Sequence, residues 1–132
     1  MSLRERIKRH EGKRYKPYLD SLGFSTVGYG RCIDKVPFSD DELELMLDND
    51  IRRAMDGAET FFVYSQLNYV RREVLTEMIF QLGRSGVSKF KKFLDAALNG
   101  DWVEAAAQML DSKWARQTPG RAMELANMFE RG

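Results

Sequence analysis

Apolar residues recur at helical spacing along most of the chain. Residues 39–57 carry them with the 3.6-residue period of an amphipathic helix, and the same period returns near residues 69–82 and 90–98. An alanine-rich helix is expected after residue 101, and a last helix from about residue 119 to residue 130. The pattern therefore predicts a chain that is mainly helical.

Capping residues mark where these helices begin and end. Ser2 with Glu5, and Asp101 with Glu104, have the spacing of a capping box, in which side chains satisfy the free amides of a first turn. Gly12 is a stop signal for the first helix. The other signals are Ser39 with Glu42, Gly57, Asn68, Gly83, Gly100 and Thr118 with Pro119.

Residues 13–37 interrupt the helical pattern. Short β-favouring pieces alternate there with residues that break helices and form turns, namely Pro17, Gly23, Gly28, Gly30 and Pro37. The fold class predicted is α+β, mainly α, in one domain of 132 residues. A small β lobe spans about 13–38 and a helical lobe spans 1–12 and about 60–132. Helix 39–57 joins the lobes, and a ligand cleft is expected between them.

Charge and cysteine content narrow the functional classes. The net charge of +1 gives no overall positive field to attract nucleic acid. Residues 1–18 nevertheless hold seven Lys or Arg, which fits either a solvated helix face or a surface for a polyanion. The single cysteine, Cys32, excludes an intrachain disulfide, and one His with one Cys offers no metal cluster. With no apolar N-terminal run or membrane-length segment, neither a signal peptide nor membrane insertion is expected.

Three residues near the N-terminus suggest chemistry. A hairpin turning about Gly23 would place Asp20 opposite Thr26, with Cβ atoms about 4.5–5.5 Å apart. The pair would hold one water, and Glu11 at the end of the first helix would supply an acid. Three common residues do not define a site by themselves, because Asp is frequent in turns and Thr in strands.

Longer motifs give this triplet a context. Glu11, Asp20 and Thr26, followed by Gly28-Tyr29-Gly30, resemble the catalytic signature of the T-even type phage lysozymes, glycoside hydrolase family 24. Residues 70–87 are similar to that family's long central helix and the turn after it. The stretch Trp114-Ala115-Arg116-Gln117-Thr118-Pro119-Gly120-Arg121-Ala122 resembles its C-terminal signature.

The resemblance implies a role for each matching residue. Glu11 would be the general acid, Asp20 the general base and Thr26 the holder of the attacking water, as in an inverting glycosidase. Arg121 would pair with the acid and orient it, although a nearby cation favours the ionised carboxylate. Residues matching substrate contacts are Cys32, Phe80, Gln81 and Gln108. Trp114 would be a core aromatic residue.

The chain also departs from the family pattern. Arg31 stands where the family usually has a histidine, and an Arg31–Asp50 ion pair without a pH switch near neutrality is predicted. The segment between Arg31 and Ser39 is short, so the β lobe should be slimmer. Phe93 replaces a small polar residue at a substrate position, and Glu77 is either a third carboxylate at the cleft or a solvated residue.

The expected activity is hydrolysis of the β-1,4 bond between N-acetylmuramic acid and N-acetylglucosamine in peptidoglycan, without metal or cofactor. By resemblance, the protein would be a monomeric phage endolysin. It would accumulate in the host bacterial cytoplasm and reach the wall through a separate holin-type pore. Two alternatives stay open: a lytic transglycosylase acting on the same bond, and a non-catalytic wall-binding or virion structural protein.

Overall fold

The computed structural model describes all residues, 1–132. It contains seven α-helices, one 3-10 helix and a three-stranded antiparallel sheet, which confirms the α+β, mainly α class. The chain forms two compact units, Met1–Leu45 and Met46–Gly132. Residues 1–12 belong to the first unit together with the sheet, whereas the sequence grouped them with the helical lobe.

The first unit opens with helix α1 (Leu3–Glu11). Ser2 caps it as predicted, because the Ser2 hydroxyl accepts a hydrogen bond from the Glu5 amide at 3.1 Å. Gly12 ends it with a φ of 74°, a left-handed conformation that glycine adopts at little cost. The predicted first helix is therefore confirmed at both ends.

The sheet follows as β1 (Arg14–Leu19), β2 (Ser25–Gly28) and β3 (Arg31–Cys32), in that spatial order. In the β1–β2 hairpin Tyr18 is opposite Thr26, and Leu19 is opposite Ser25. The turn therefore centres near residue 22, not on Gly23. As a result, Asp20 faces Phe24, to whose carbonyl its amide donates at 2.9 Å.

Helix α2 (Asp40–Glu59) begins directly after Ser39, as the capping signal predicted. Three acidic residues in its first turn complement the positive end of the helix dipole. It runs past Gly57, the predicted stop, to Glu59. Gly57 has an ordinary helical conformation, so nothing in the backbone ends the helix there.

The second unit continues with a 3-10 helix (Phe62–Gln66) and then five α-helices. These are α3 (Tyr69–Ser88), α4 (Lys91–Leu98), α5 (Trp102–Leu110), α6 (Lys113–Gln117) and α7 (Pro119–Arg131). The side chains of Asn68 and Asp101 cap α3 and α5, which confirms both signals. Gly83 breaks α3 with a φ of 79°, the position at which the sequence predicted its end.

One predicted cap is wrong. The Thr118 hydroxyl donates to the carbonyl of Trp114 at 3.1 Å and accepts no bond from the first turn of α7. Pro119 at the first helical position, which has no amide hydrogen to satisfy, still opens that helix. Helix α6, five residues long and capped by Ser112, was not predicted.

The apolar core lies in the second unit. Its largest fully buried side chains are Phe93, Phe129, Leu75, Met78, Met109, Val74 and Val87. Arg71 is buried among them, donates to the carbonyls of Phe129 and Glu130, and stacks on Trp102 with 3.9 Å between its guanidinium carbon and the ring centroid. This core ties α3 to the end of α7. None of the helices combines the length and the hydropathy needed to cross a membrane.

Candidate functional site

Asp20 is fixed by a turn that its own side chain builds. Its Oδ1 accepts hydrogen bonds from the amides of Leu22 and Phe24, each at 2.9 Å. Such an Asx turn explains the shift in hairpin register, because it closes the loop around Ser21, Leu22 and Gly23. The second carboxylate oxygen, Oδ2, has no protein partner and is free to act on a ligand or a water.

Thr26 lies on the middle strand and is only 4% exposed. It pairs with Tyr18 of β1 on one side and with Cys32 of β3 on the other. Its hydroxyl donates to the Phe24 carbonyl at 3.1 Å. Because a hydroxyl has one hydrogen and two lone pairs, Thr26 can then only accept a hydrogen bond from a water.

The predicted direct opposition of Asp20 and Thr26 is wrong. The partner of Thr26 is Tyr18, and Asp20 follows Tyr18 by two residues, just beyond the end of β1. Asp20 and Thr26 are therefore diagonal neighbours, which are typically about 7–8 Å apart. This separation leaves more room for a water than direct opposition would.

Glu11 ends α1, with its carboxyl group against the backbone of Gly30. A Cβ atom placed on Gly30 would lie 2.5 Å from Glu11 Oε2, so any side chain there would displace the carboxyl group. Gly30 also has a φ of 78°, a conformation that other residues rarely adopt. The second glycine of Gly28-Tyr29-Gly30 thus gives Glu11 its place, a role that sequence reasoning missed.

The predicted Arg31–Asp50 ion pair is wrong. Arg31 bonds Glu42 through both terminal nitrogens, at 2.7 Å and 2.5 Å, while Asp50 pairs with Arg53 at 2.9 Å. Glu42 also accepts from the amide and hydroxyl of Ser39. The Arg31 guanidinium, followed by the Ser39 bonds, lowers the pKa of Glu42 from 4.5 to about 2.

The physical reason for the different partner is local. Glu42 is the third residue of α2 and turns back to Ser39, so its carboxylate already stands at the helix N-terminus next to β3. Asp50 is two turns further along and has its own arginine one turn away, at Arg53. The capping-box spacing of Ser39 and Glu42 was the signal that could have identified the partner.

In the second unit, Gln81 belongs to a polar chain with the C-terminal signature. The Trp114 indole nitrogen donates to Gln81 Oε1 at 2.9 Å, and Gln81 Nε2 lies 3.5 Å from the Thr118 hydroxyl. Trp114 is 3% exposed, which confirms it as a core aromatic residue. Its bond holds the Gln81 side chain in one orientation.

Phe80 and Arg121 line one groove of about 620 Å³ together with Glu77. Phe80 is 42% exposed, so its ring is accessible to a ligand. Arg121 Nε donates a hydrogen bond to Glu77 Oε2 at 2.9 Å. Glu77 was expected to be either a third carboxylate at the cleft or a solvated residue, and its pairing with Arg121 was not predicted. The pairing of Arg121 with Glu11 stays a prediction.

Gln108 lies on a separate groove of about 520 Å³, where Glu104 accepts a hydrogen bond from its side-chain amide. Phe93 is 2% exposed and packs edge-on against Phe90 at 6.5 Å, so its ring belongs to the core. The structure thus places Thr26 and Cys32 side by side on the sheet, with Asp20 in the turn before β2, and Phe80 with Arg121 on one groove.

A small antiparallel sheet attached in sequence to a helical unit is the arrangement of the lysozyme-like α+β fold. The phage lysozyme family model matches residues 8–131, nearly the whole chain. The chain therefore belongs to the phage lysozyme family, whose enzymes are muramidases acting on peptidoglycan.

Individual relatives agree with this assignment. The chain is 30% identical to probable T4-type lysozyme 2 of Dictyostelium discoideum, over 99% of the chain and 95% of that protein. It is 25% identical to probable T4-type lysozyme 1 of the same organism. It is 32% identical to the pre-baseplate central spike protein Gp5 of Enterobacteria phage T4, of which it spans 28%. Each alignment covers 161 positions, so these relatives have residues for which this chain has no counterpart.

Proposed function

We propose that this chain hydrolyses the β-1,4 bond between N-acetylmuramic acid and N-acetylglucosamine with inversion at the anomeric carbon. The observation that carries the proposal is the hydrogen bonding of Asp20 and Thr26. Asp20 keeps one carboxylate oxygen free, and Thr26 has its only hydrogen engaged by the Phe24 carbonyl. A water between them would donate one hydrogen to each, which orients its lone pair away from the sheet.

The chemical step follows from these roles. Glu11 donates a proton to the leaving glycosidic oxygen, while Asp20 removes a proton from the attacking water. Thr26 fixes that water by accepting its other hydrogen. An inverting enzyme needs carboxyl groups about 6.5–9.5 Å apart to admit the water. The bond to the leaving sugar breaks as the bond to the water oxygen forms, so each product ends in a neutral hydroxyl group at the cleaved position. Proton exchange with solvent then returns Asp20 to the carboxylate and Glu11 to the acid.

The remaining assigned residues act on substrate position. The family resemblance gives Arg121 the task of orienting the acid; Glu77 engages only its Nε, so its two terminal nitrogens remain available to a carboxylate. Cys32 adjoins Thr26 on the sheet, and Phe80, Gln81 and Gln108 are proposed to contact the sugar chain or its peptide. No metal or organic cofactor takes part in this mechanism.

Digestion of purified peptidoglycan tests the proposal. Glu11→Gln and Asp20→Asn should each lose at least about a hundredfold in activity, because each removes a proton-transfer group. Glu5→Gln, an exposed carboxylate on the same helix, is the matched control and should retain full activity. NMR of the first-formed product should show the inverted anomer.

Two outcomes would redirect the assignment. Undiminished activity in Glu11→Gln would refute the acid role. Anhydromuramic products in the mass spectrum would show a lytic transglycosylase, which needs the acid but no water-activating base.

For the biological role we propose lysis of the bacterial wall as a phage endolysin. Expression in the bacterial cytoplasm should lyse cells only when a holin-type pore is supplied. A virion role is the second candidate, favoured by the similarity to the spike protein Gp5. Co-purification of the chain with intact phage particles would support that role, and its absence from them would support the endolysin.

A further inference from the structure

Half of the lysines in this chain line one groove of the second unit. The lysine groove, of about 520 Å³, is lined by Lys89, Lys91, Lys92 and Lys113, which stand at the end of α3, the start of α4 and the start of α6. The other four lysines all lie in the first unit. Three separate elements therefore bring positive charge to one place.

None of these four lysines forms an ion pair. The ion pairs of the protein all involve arginines, and none of the four lysines has a carboxylate within 4.0 Å. Asp111 is the one acidic residue lining the groove. Because like charges placed together repel each other in the free protein, the cluster contributes nothing to folding that would explain it.

The floor of the lysine groove is rigid and apolar. Phe90 packs edge-on against both Phe93 and Trp114, with ring centroids 6.5 Å and 6.1 Å apart. Phe93 and Trp114 are almost fully buried, so their ring faces are not available for stacking on a nucleobase. Gln108 lies on the same groove, and it is one of the residues proposed to contact the wall substrate.

We propose that the lysine groove binds a phosphodiester polymer attached to the bacterial wall. Ammonium groups are strongly hydrated point charges that bind phosphate without a fixed bidentate geometry, which suits phosphates spaced along a flexible chain. The lining contains four lysines and no arginine. This inference rests on the proposed function only for the choice of a wall polymer as the ligand.

A pair of wall preparations tests it. One carries covalently attached poly(glycerol phosphate), and the other is the same wall after hydrofluoric acid has removed that polymer. The wild type should bind the polymer-bearing wall roughly tenfold more tightly at low salt, and the difference should shrink as salt screens the charges. The combined variant Lys89→Gln, Lys91→Gln, Lys92→Gln and Lys113→Gln should lose that difference.

A charge-matched control separates the groove from net charge. The exposed residues Arg4, Lys16, Arg52 and Arg131 lie outside the groove, and replacing all four with Gln removes the same charge. This control should keep most of the preference for the polymer-bearing wall. Equal loss in both variants would overturn the groove as the site.

Competition and digestion measurements identify the ligand. Soluble poly(glycerol phosphate) should compete for binding, and stronger competition by single-stranded DNA would overturn the proposal. A lysine-dependent affinity that survives on the stripped wall would assign the groove to peptide carboxylates instead. The wild type and the variant with all four groove lysines replaced should hydrolyse the stripped wall equally. If the wild type does not hydrolyse the stripped wall at all, the proposed function is refuted, and the binding measurements alone decide this inference.

Discussion

The unit Met46–Gly132 holds every buried apolar side chain of the protein, whereas the unit Met1–Leu45, with Glu11, Asp20 and Thr26, buries only Thr26. The helical unit is held by a shared core, in which Phe90, Phe93 and Phe129 each contact two other rings. The first unit is held by separate polar contacts, each of the kind worth about 1 kcal/mol. Its residues can therefore be varied one contact at a time, which suits tests of the chemistry proposed for this unit.

The largest expected effect lies in the core. Phe129 is fully buried and packs on Phe93 and Trp102, with ring centroids 5.1 Å and 5.8 Å away. Phe129→Ala should lower the free energy of unfolding by about 3–5 kcal/mol, because it removes apolar burial and leaves a cavity. Urea unfolding followed by circular dichroism measures this change.

The matched control is Phe62→Ala, which removes the same ring from a position that is 81% exposed. It should change the free energy of unfolding by less than about 0.5 kcal/mol. Similar losses in both variants would show that the helical unit is not stabilised by a shared core.

An intermediate effect is expected at Gly30. Gly30→Ala forces a side chain into a left-handed conformation and against the Glu11 carboxyl group. The strain should cost about 1–2 kcal/mol of unfolding free energy. Displacement of the acid should in addition lower the turnover rate by about tenfold to a hundredfold.

Gly28→Ala separates the two effects. Gly28 has a φ of 71°, so alanine is strained there as well, but a Cβ atom would meet nothing within 4 Å. Gly28→Ala should lose similar stability and keep its turnover rate. Equal losses of turnover in both variants would remove Gly30 as the residue that places Glu11.

Sequence patterns predicted the helical unit better than the first unit. The helical period of the apolar residues and the caps Asn68 and Asp101 predicted the helices and most of their ends. These signals are local, because burial of a helix face and capping act over one or two turns. The sequence placed Thr118 as a cap, but its hydroxyl bonds a carbonyl of α6, a helix too short to show a period.

In the first unit the strands were predicted but the pairing of their residues was not. A hairpin register depends on which turn forms, and the side chain of Asp20 selected a turn centred near residue 22. Likewise, the partner of Arg31 depended on where Glu42 turns at the start of α2, which spacing in the sequence does not give. Both errors concern polar side chains that choose between nearby partners.

The smallest expected effect is a pH dependence of thermal stability that arises from Glu42 in the first unit. Its pKa of about 2 lies below the ordinary 4.5, so its ionised form stabilises the fold fully above pH 4.5. That contribution is lost as the pH falls from 4.5 to about 2. Glu42→Gln should melt at a lower temperature than the wild type near neutral pH, and the difference should vanish towards pH 2.

Because Arg31 keeps its charge throughout, neither protein should show a stability transition between pH 5 and 8 that depends on this pair. Thermal melts at several pH values measure both, with Glu44→Gln, an exposed carboxylate of the same helix, as the control. A difference between Glu42→Gln and wild type that stays constant down to pH 2 would show that the Arg31–Glu42 pair does not hold β3 to the start of α2.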